Sequence, residues 1–292
     1  MIASLLFSPC DFALGLTDEM GRTVAIGGTP ARIIALAPSI TEILFVVGAG
    51  GRVVGVSQNS EFPEAARNLP RVGPYHRPNL EKIIALQPDL VIATADGTPK
   101  ALVDELDRLE IPTYAINPGS VEQIVRSIRN IGVAVRAPNT ETVAQKMEKA
   151  IACIRNAVKK VTYRPKVLYQ LGLNPLVSAG KGTFSDNVIT LAGGLNLARD
   201  LSGKYPRLSM EQIIIQRPDV IIASTMGKPV PHSKLLEQWR RWGEIPAVKN
   251  GRVYGVNSDL IDRPSPRCIH GVMAVLRMLH PRVAEEVGRC LP

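Results

Sequence analysis

The 292-residue sequence predicts an α/β protein of two similar lobes. Each lobe is a parallel sheet sandwiched by helices, and one long rigid helix joins them with a ligand cleft between. Three observations carry this. Short apolar, β-branched runs alternate with helical segments, the pattern of α/β units. A 25-residue passage is written twice, as GPYHRPNLEKIIALQPDLVIATADG from Gly73 to Gly97 and as GKYPRLSMEQIIIQRPDVIIASTMG from Gly203 to Gly227. Between the two lies Asn139–Lys160, a stretch without Gly or Pro.

Without gaps the copies share 11 of 25 residues. These are both end glycines, Tyr75 with Tyr205, Arg77 with Arg207, Glu81 with Glu211, the Ile-Ile and Pro-Asp pairs, and a closing Ile-Ala. That is far beyond chance, and it makes the two lobes alike. A chain of this length suits two domains of ordinary size.

The opening, MIASLLFSPCDFALGLTDEMGRTV, is apolar but lacks a basic n-region and a clean small-residue cleavage site. It reads either as the remnant of an export signal or as a plain N-terminal strand. Cys10 follows Pro9, whereas a lipid-modified cysteine normally follows a small residue. The first lobe then opens with a strand over Arg32–Leu36, a Pro38-Ser39 turn with Ser39 as cap, and a helix over Ile40–Val47 stopped by Gly48. GRVVGVS is a second strand, and a loop with four prolines runs from Gln58 to Asn79.

Asn79 and Ser209 stand as N-caps of matching short helices, which Pro88 and Pro218 end. PDLVIAT and PDVIIAS follow as strands apolar on both faces, as a buried parallel sheet demands. PTYAINPGS adds a strand and turn, with a helix from Val121 to about Val135. In Asn139–Lys160, Val143, Met147, Ile151, Ile154 and Val158 share one helical face, a rod of about 30 Å at 1.5 Å per residue. The second lobe replays the order, and RVYGVNSD matches PTYAINPG. The expected boundaries are an N-terminal segment 1–22, a lobe 23–138, the joining helix 139–161 and a lobe 162–292.

With 45% apolar and 21% charged residues the chain can bury proper cores. No window reaches the roughly 18 consecutive apolar residues that a spanning helix needs. The net charge of +9 is spread along the chain, with short clusters such as WRRW that match no nucleic-acid motif. No nucleic-acid partner is expected. Cys153, Cys268 and Cys290 form no close pair, so no zinc or redox motif is signalled. They read as isolated small hydrophobes, or as a Cys268–Cys290 disulfide in an oxidising compartment. The four histidines, His76, His232, His270 and His280, show no metal spacing. There is no nucleophile motif, and GKGTF at Gly180 lacks the phosphate-loop pattern.

The repeated passage carries the functional signal. Ligands of open α/β sheets sit at the carboxyl ends of strands, where Tyr75, Glu81, Tyr205 and Glu211 fall. A tyrosine offers a flat apolar face and a polar tip, suited to a large planar ligand. Each glutamate sits in a first helical turn, where the dipole favours a negative charge. A matched pair of exposed acids also suits a symmetric cationic partner.

The segments RIIALAPSITEILFVVGAG, NLEKIIALQPDLVIAT, SAGKGTFSDNVITLAGGLNLA, EIPAVKNGRVYGVNSD and DRPSPR resemble the solute-binding proteins of importers for vitamin B12, siderophores and haem. The resemblance covers about Thr23 to Pro281. It implies a non-enzymatic, monomeric extracytoplasmic receptor with no cofactor of its own. Such a receptor hands a metal chelate to an ATP-driven permease dimer, with Glu81 and Glu211 docking on permease arginines.

The cobalamin branch is the most similar. Tyr75 and Tyr205 match corrin-contacting positions at which vitamin B12 receptors of that branch carry tryptophan. NSDLIDRPSPR matches a segment whose acid and arginine approach the ligand, here Asp259 and Arg263. Pro38 and Ser39 match the cleft floor, Asn59 and Thr94 match further aromatic pocket positions, and Asn174 joins the implied contacts. The ligand implied is cobalamin or cobinamide. Haem is the alternative, because tyrosinate beside an arginine ligates ferric iron and Arg77 and Arg207 each follow a tyrosine by two. The haem members, however, space Tyr and Glu one residue further apart. A ferric siderophore is the next alternative, and a chelatase-like enzyme a remote one.

Overall fold

The computed structural model describes residues 14–225 and 230–291. The start of the chain with Cys10, and the tail of the second copy from Met226 to Pro229 with Gly227, lie outside the described residues. Two compact units emerge. One runs up to Asn117 and adds Ser127–Thr140; the other takes Pro118–Arg126 and the chain from Glu141 on.

The first unit begins with an antiparallel pair, β1 (Leu14–Thr17) and β2 (Thr23–Ile26). Between them Glu19 accepts from Ser127 Oγ, Asn130 Nδ2 and the Asn117 amide. Then come β3 (Ile33–Ala35), α1 (Pro38–Val46), β4 (Val53–Val56), α2 (Leu80–Ala85), β5 (Leu90–Thr94), α3 (Lys100–Arg108) and β6 (Thr113–Ile116). The sheet order is β4-β3-β5-β6, parallel throughout. All five residues of β5 are buried, as an interior strand covered on both faces requires. A helix α4 (Val121–Ala134) follows, then α5 (Thr140–Val158).

Ser39 does not cap α1. The helix starts one residue before it, with Ala37 as N-cap and Pro38 at N1, and Ser39 is buried in the first turn. Proline at N1 has no amide to leave unsatisfied and its φ suits a helix. The predicted stop holds: Gly48 has φ +92, its amide bonds Phe45 O at 3.2 Å, and Ala49 bonds Leu44 O at 2.8 Å, a Schellman closure.

The second unit holds β7 (Lys166–Gln170), a small hairpin of β8 (Gly172–Leu173) and β9 (Leu176–Val177), α6 (Phe184–Leu191), β10 (Leu195–Asn196), α7 (Met210–Gln216), β11 (Val220–Thr225), α8 (His232–Trp239), α9 (Pro246–Lys249), β12 (Val253–Asn257), α10 (Ser258–Ile261), α11 (Cys268–Leu279) and α12 (Pro281–Cys290). Its sheet, β10-β7-β11-β12, is again parallel.

The duplication is exact to the register. Tyr114 pairs with Ile92 in the first sheet, and Tyr254 pairs with Ile222 in the second. The cores correspond too: Ile83 of α2 packs with Ile34 and Val91, and Ile213 of α7 packs with Leu168 and Ile221. Burying one such isoleucine contributes about 1.5–3 kcal/mol, so each short helix is fixed to its sheet mainly by that residue.

α5 buries Ala144, Met147, Ala150, Ile151, Ile154, Ala157 and Val158, with Val143 only half-buried. Within the second unit it is tied to α12 by a Cys153–Cys290 disulfide with a Cα separation of 6.4 Å, and by Lys160 to Glu286 at 3.0 Å. The partner of Cys290 is therefore Cys153 and not Cys268, which is buried in α11 outside that bond. Helix periodicity places Cys153 beside the apolar stripe of α5, facing the last helix.

Candidate functional site

Both repeated helices are capped as their sequences predict. Asn79 Oδ1 accepts from the Lys82 amide at 2.8 Å. Ser209 makes a full capping box, its Oγ accepting from the Gln212 amide at 3.2 Å while Gln212 Oε1 accepts from the Ser209 amide at 2.9 Å. Such caps satisfy amides the helix leaves open and fix where each first turn begins. Glu81 and Glu211 lie in those first turns and are exposed. The Ser209 hydroxyl, then the local backbone, hold the Glu211 carboxyl below its ordinary value.

Both tyrosines precede their helices on loops stitched to a strand. In the first unit the Gln58 amide bonds Gly73 O at 2.8 Å and the Asn79 amide bonds Val72 O at 2.7 Å, after a parallel bridge between Val56 and Arg71. In the second, the Ser178 amide bonds Pro206 O at 3.0 Å, the Gly180 amide bonds Lys204 O at 2.8 Å, and Val177 bridges Arg207 antiparallel. The same display is thus built on two different supports. Tyr75 is 44% exposed and Tyr205 61%, large apolar surfaces to leave in water on a folded protein.

Around Tyr75 the first unit assembles a small patch. Its ring stands edge-on to His76, with centroids 5.5 Å apart, and it rests on Gly97 so closely that a Cβ there would collide with it. Thr94 ends β5 beside this contact; its Oγ1 is buried and finds no partner among the described residues. Pro38 and Ser39 start α1 at the same carboxyl edge, and Asn59 is exposed just beyond β4.

At the carboxyl edge of the second unit, Arg263 Nη2 pairs with Asp259 Oδ1 at 3.0 Å, both about a quarter exposed. Asn257 caps α10 through the Asp259 amide at 2.9 Å. Asn174 is exposed in the turn between β8 and β9. Sequence reasoning missed the residue beneath this pair. Asp262 accepts from Tyr169 at 2.6 Å, Ser185 at 2.8 Å and Ser224 at 2.7 Å, tying the α10 loop to β7, α6 and β11. Burial, and next the Asp262 charge, push the Tyr169 hydroxyl well above the ordinary tyrosine range, so it stays a donor. The available signal was the proximity of Asp262 to Asp259 and Arg263, but its three donors come from distant segments.

Among the described residues, no group of three or more His, Cys, Asp or Glu is placed to hold a metal ion. Among the described residues, no helix is long and apolar enough to cross a membrane. Two matched parallel sheets, each presenting a tyrosine loop and an exposed first-turn glutamate, define a solute-binding architecture. The chain belongs to the periplasmic binding protein family, whose model matches residues 33–260.

Within that family the similarity is to particular members. The vitamin B12-binding protein of Vibrio campbellii is 32% identical over 275 residues, 93% of this chain and 92% of that one. Its counterpart from Salmonella paratyphi A is 35% identical over 244 residues, 82% of this chain and 86% of the relative. Among solved structures, the periplasmic vitamin B12 binding protein BtuF of Vibrio cholerae superposes with a TM-score of 0.76 at 30% identity, covering 88% of this chain and 98% of that one. The periplasmic heme-binding protein RhuT of Roseiflexus, in apo form, has the same TM-score at 27% identity, covering 89% and 100%.

Proposed function

We propose that this chain captures a corrinoid, cobalamin or cobinamide, outside the cytoplasm and delivers it to an ATP-driven import permease. The observation that carries the reading is the pair of exposed tyrosines at matched positions on the carboxyl edges of two sheets. It is supported by the likeness to vitamin B12-binding relatives across nearly the whole chain.

A corrin is broad, flat and fringed with carboxamides. Aromatic faces suit its plane, here Tyr75 and Tyr205. The Asp259–Arg263 pair offers an acceptor and a donor to an amide at its edge. Pro38, Ser39, Asn59, Thr94 and Asn174 complete the contacts. Glu81 and Glu211, exposed and six residues beyond the tyrosines, are the points at which permease arginines dock. The receptor works as a monomer without catalysis.

Haem is the second reading, favoured by one observation: Arg77 and Arg207 are exposed two residues after each tyrosine, where they would assist a tyrosinate iron ligand. Isothermal titration with cyanocobalamin, dicyanocobinamide, haemin and a ferric hydroxamate separates these. Stoichiometric heat with either corrinoid supports the first reading. Binding of haemin alone, with its colour lost in Tyr75→Phe, overturns it in favour of the second.

A further inference from the structure

We infer that Gly97 is a positioning residue for Tyr75, and through it a determinant of which flat ligands the first unit accepts. The inference rests on Tyr75 being a ligand contact. A Cβ built on Gly97 would lie against Cδ2 and Cε2 of the Tyr75 ring, far inside contact distance. The backbone at Gly97 lies outside the left-handed region, so conformation does not demand glycine there. What the missing side chain permits is the seat of the ring.

The ring lies on this bare stretch of backbone while 44% of the residue stays open. Thr94 Oγ1 is 3.1 Å from where the Cβ would sit, and it is the buried hydroxyl that finds no partner among the described residues. Glycine therefore leaves an aromatic ring and an unused hydrogen-bonding group side by side. Tyr75 and Gly97 are the third and the last residues of the repeated passage. In the first copy these two residues, separated along the chain by a loop, a helix and a strand, meet in space.

Any side chain at 97 must tilt the ring, and the cost falls on the site rather than the fold. The displaced atoms are the ring of an exposed surface side chain, so Gly97→Ala should melt like the wild type. Cyanocobalamin binding should weaken about tenfold, the order of one well-placed aromatic contact. Gly51→Ala, where a Cβ would meet nothing within 4 Å, should bind as the wild type does.

The decisive measurement is a double-mutant cycle by isothermal titration. In a Tyr75→Ala background, Gly97→Ala should change cyanocobalamin affinity less than about twofold, because the ring it displaces is gone. Equal weakening in both backgrounds, or none in either, overturns the inference. If the wild type binds no corrinoid, the functional reading fails on its own. The seat is then judged by NMR without ligand: the Gly97 Hα resonances should be ring-current shifted and should lose the shift in Tyr75→Ala. Unshifted resonances in the wild type refute the seat.

Discussion

Replacing Asp262 by alanine removes the acceptor shared by Tyr169, Ser185 and Ser224. Hydrogen bonds to a charged group contribute about 1.5–3 kcal/mol each, and a buried donor left unmade costs about 1–3 kcal/mol. Tyr169 is fully buried and Ser185 nearly so, while Ser224, half-buried, recovers water. The expected loss is therefore about 3–5 kcal/mol, a large share of the 5–15 kcal/mol typical of a folded domain. Asp262→Asn keeps one carbonyl acceptor and should lose about 1–2 kcal/mol. Tyr169→Phe removes one donor and leaves the carboxylate two others, for a loss of about 1.5–3 kcal/mol. Equilibrium urea unfolding ranks the three; at an m-value of about 2 kcal/mol/M the alanine midpoint falls by about 2 M. An Asp262→Ala protein within about 1 kcal/mol of the wild type would refute the view of this carboxylate as the tie between α10, β7, α6 and β11.

The Cys153–Cys290 disulfide closes a loop of sequence separation 137. Its removal in a Cys153→Ser, Cys290→Ser protein should cost about 2–5 kcal/mol, and a non-reducing peptide map should link those two cysteines; a Cys268–Cys290 link would sink the assignment. Burial, then Glu19 and Asp18, push the Tyr114 hydroxyl up to about 12. The folded state thus prefers the protonated ring, a contribution intact below about pH 10 and lost as pH rises through about 12. Tyr114→Phe should flatten the decline in stability measured by urea unfolding between these limits. Glu81→Ala with Glu211→Ala should abolish corrinoid uptake by cells while titration finds unchanged affinity, and weakened binding would mean that the acids contact the ligand.

Much of this architecture was legible because the sequence states it twice. Asn79 and Ser209, Pro88 and Pro218, and the two buried strand runs each corroborate the other's reading, so the short helices and their caps appear where expected. What escaped depends on contacts with no local signature. Ser39 has a capping side chain, but Pro38 already meets the requirements of N1 and moves the N-cap to Ala37. Cys153 and Cys290 meet only after α5 and α12 pack. Asp262 gathers donors from residues 38, 77 and 93 positions away, which no spacing rule anticipates. The two tyrosine loops look alike in sequence, yet one lies parallel to its supporting strand and the other antiparallel, because the partner strand differs while the display residue does not.

Those stitched loops separate shape from chemistry. Their main-chain bonds lie on either side of Tyr75 and Tyr205 and ask nothing of the rings, so exchanging a ring leaves its support intact. With the rings as the proposed ligand contacts, recognition could be rewritten one side chain at a time, as a tool is refitted by changing the bit and keeping the handle. On the proposed reading, variation at positions 75 and 205 should change which flat chelate is bound while the main-chain support stays in place.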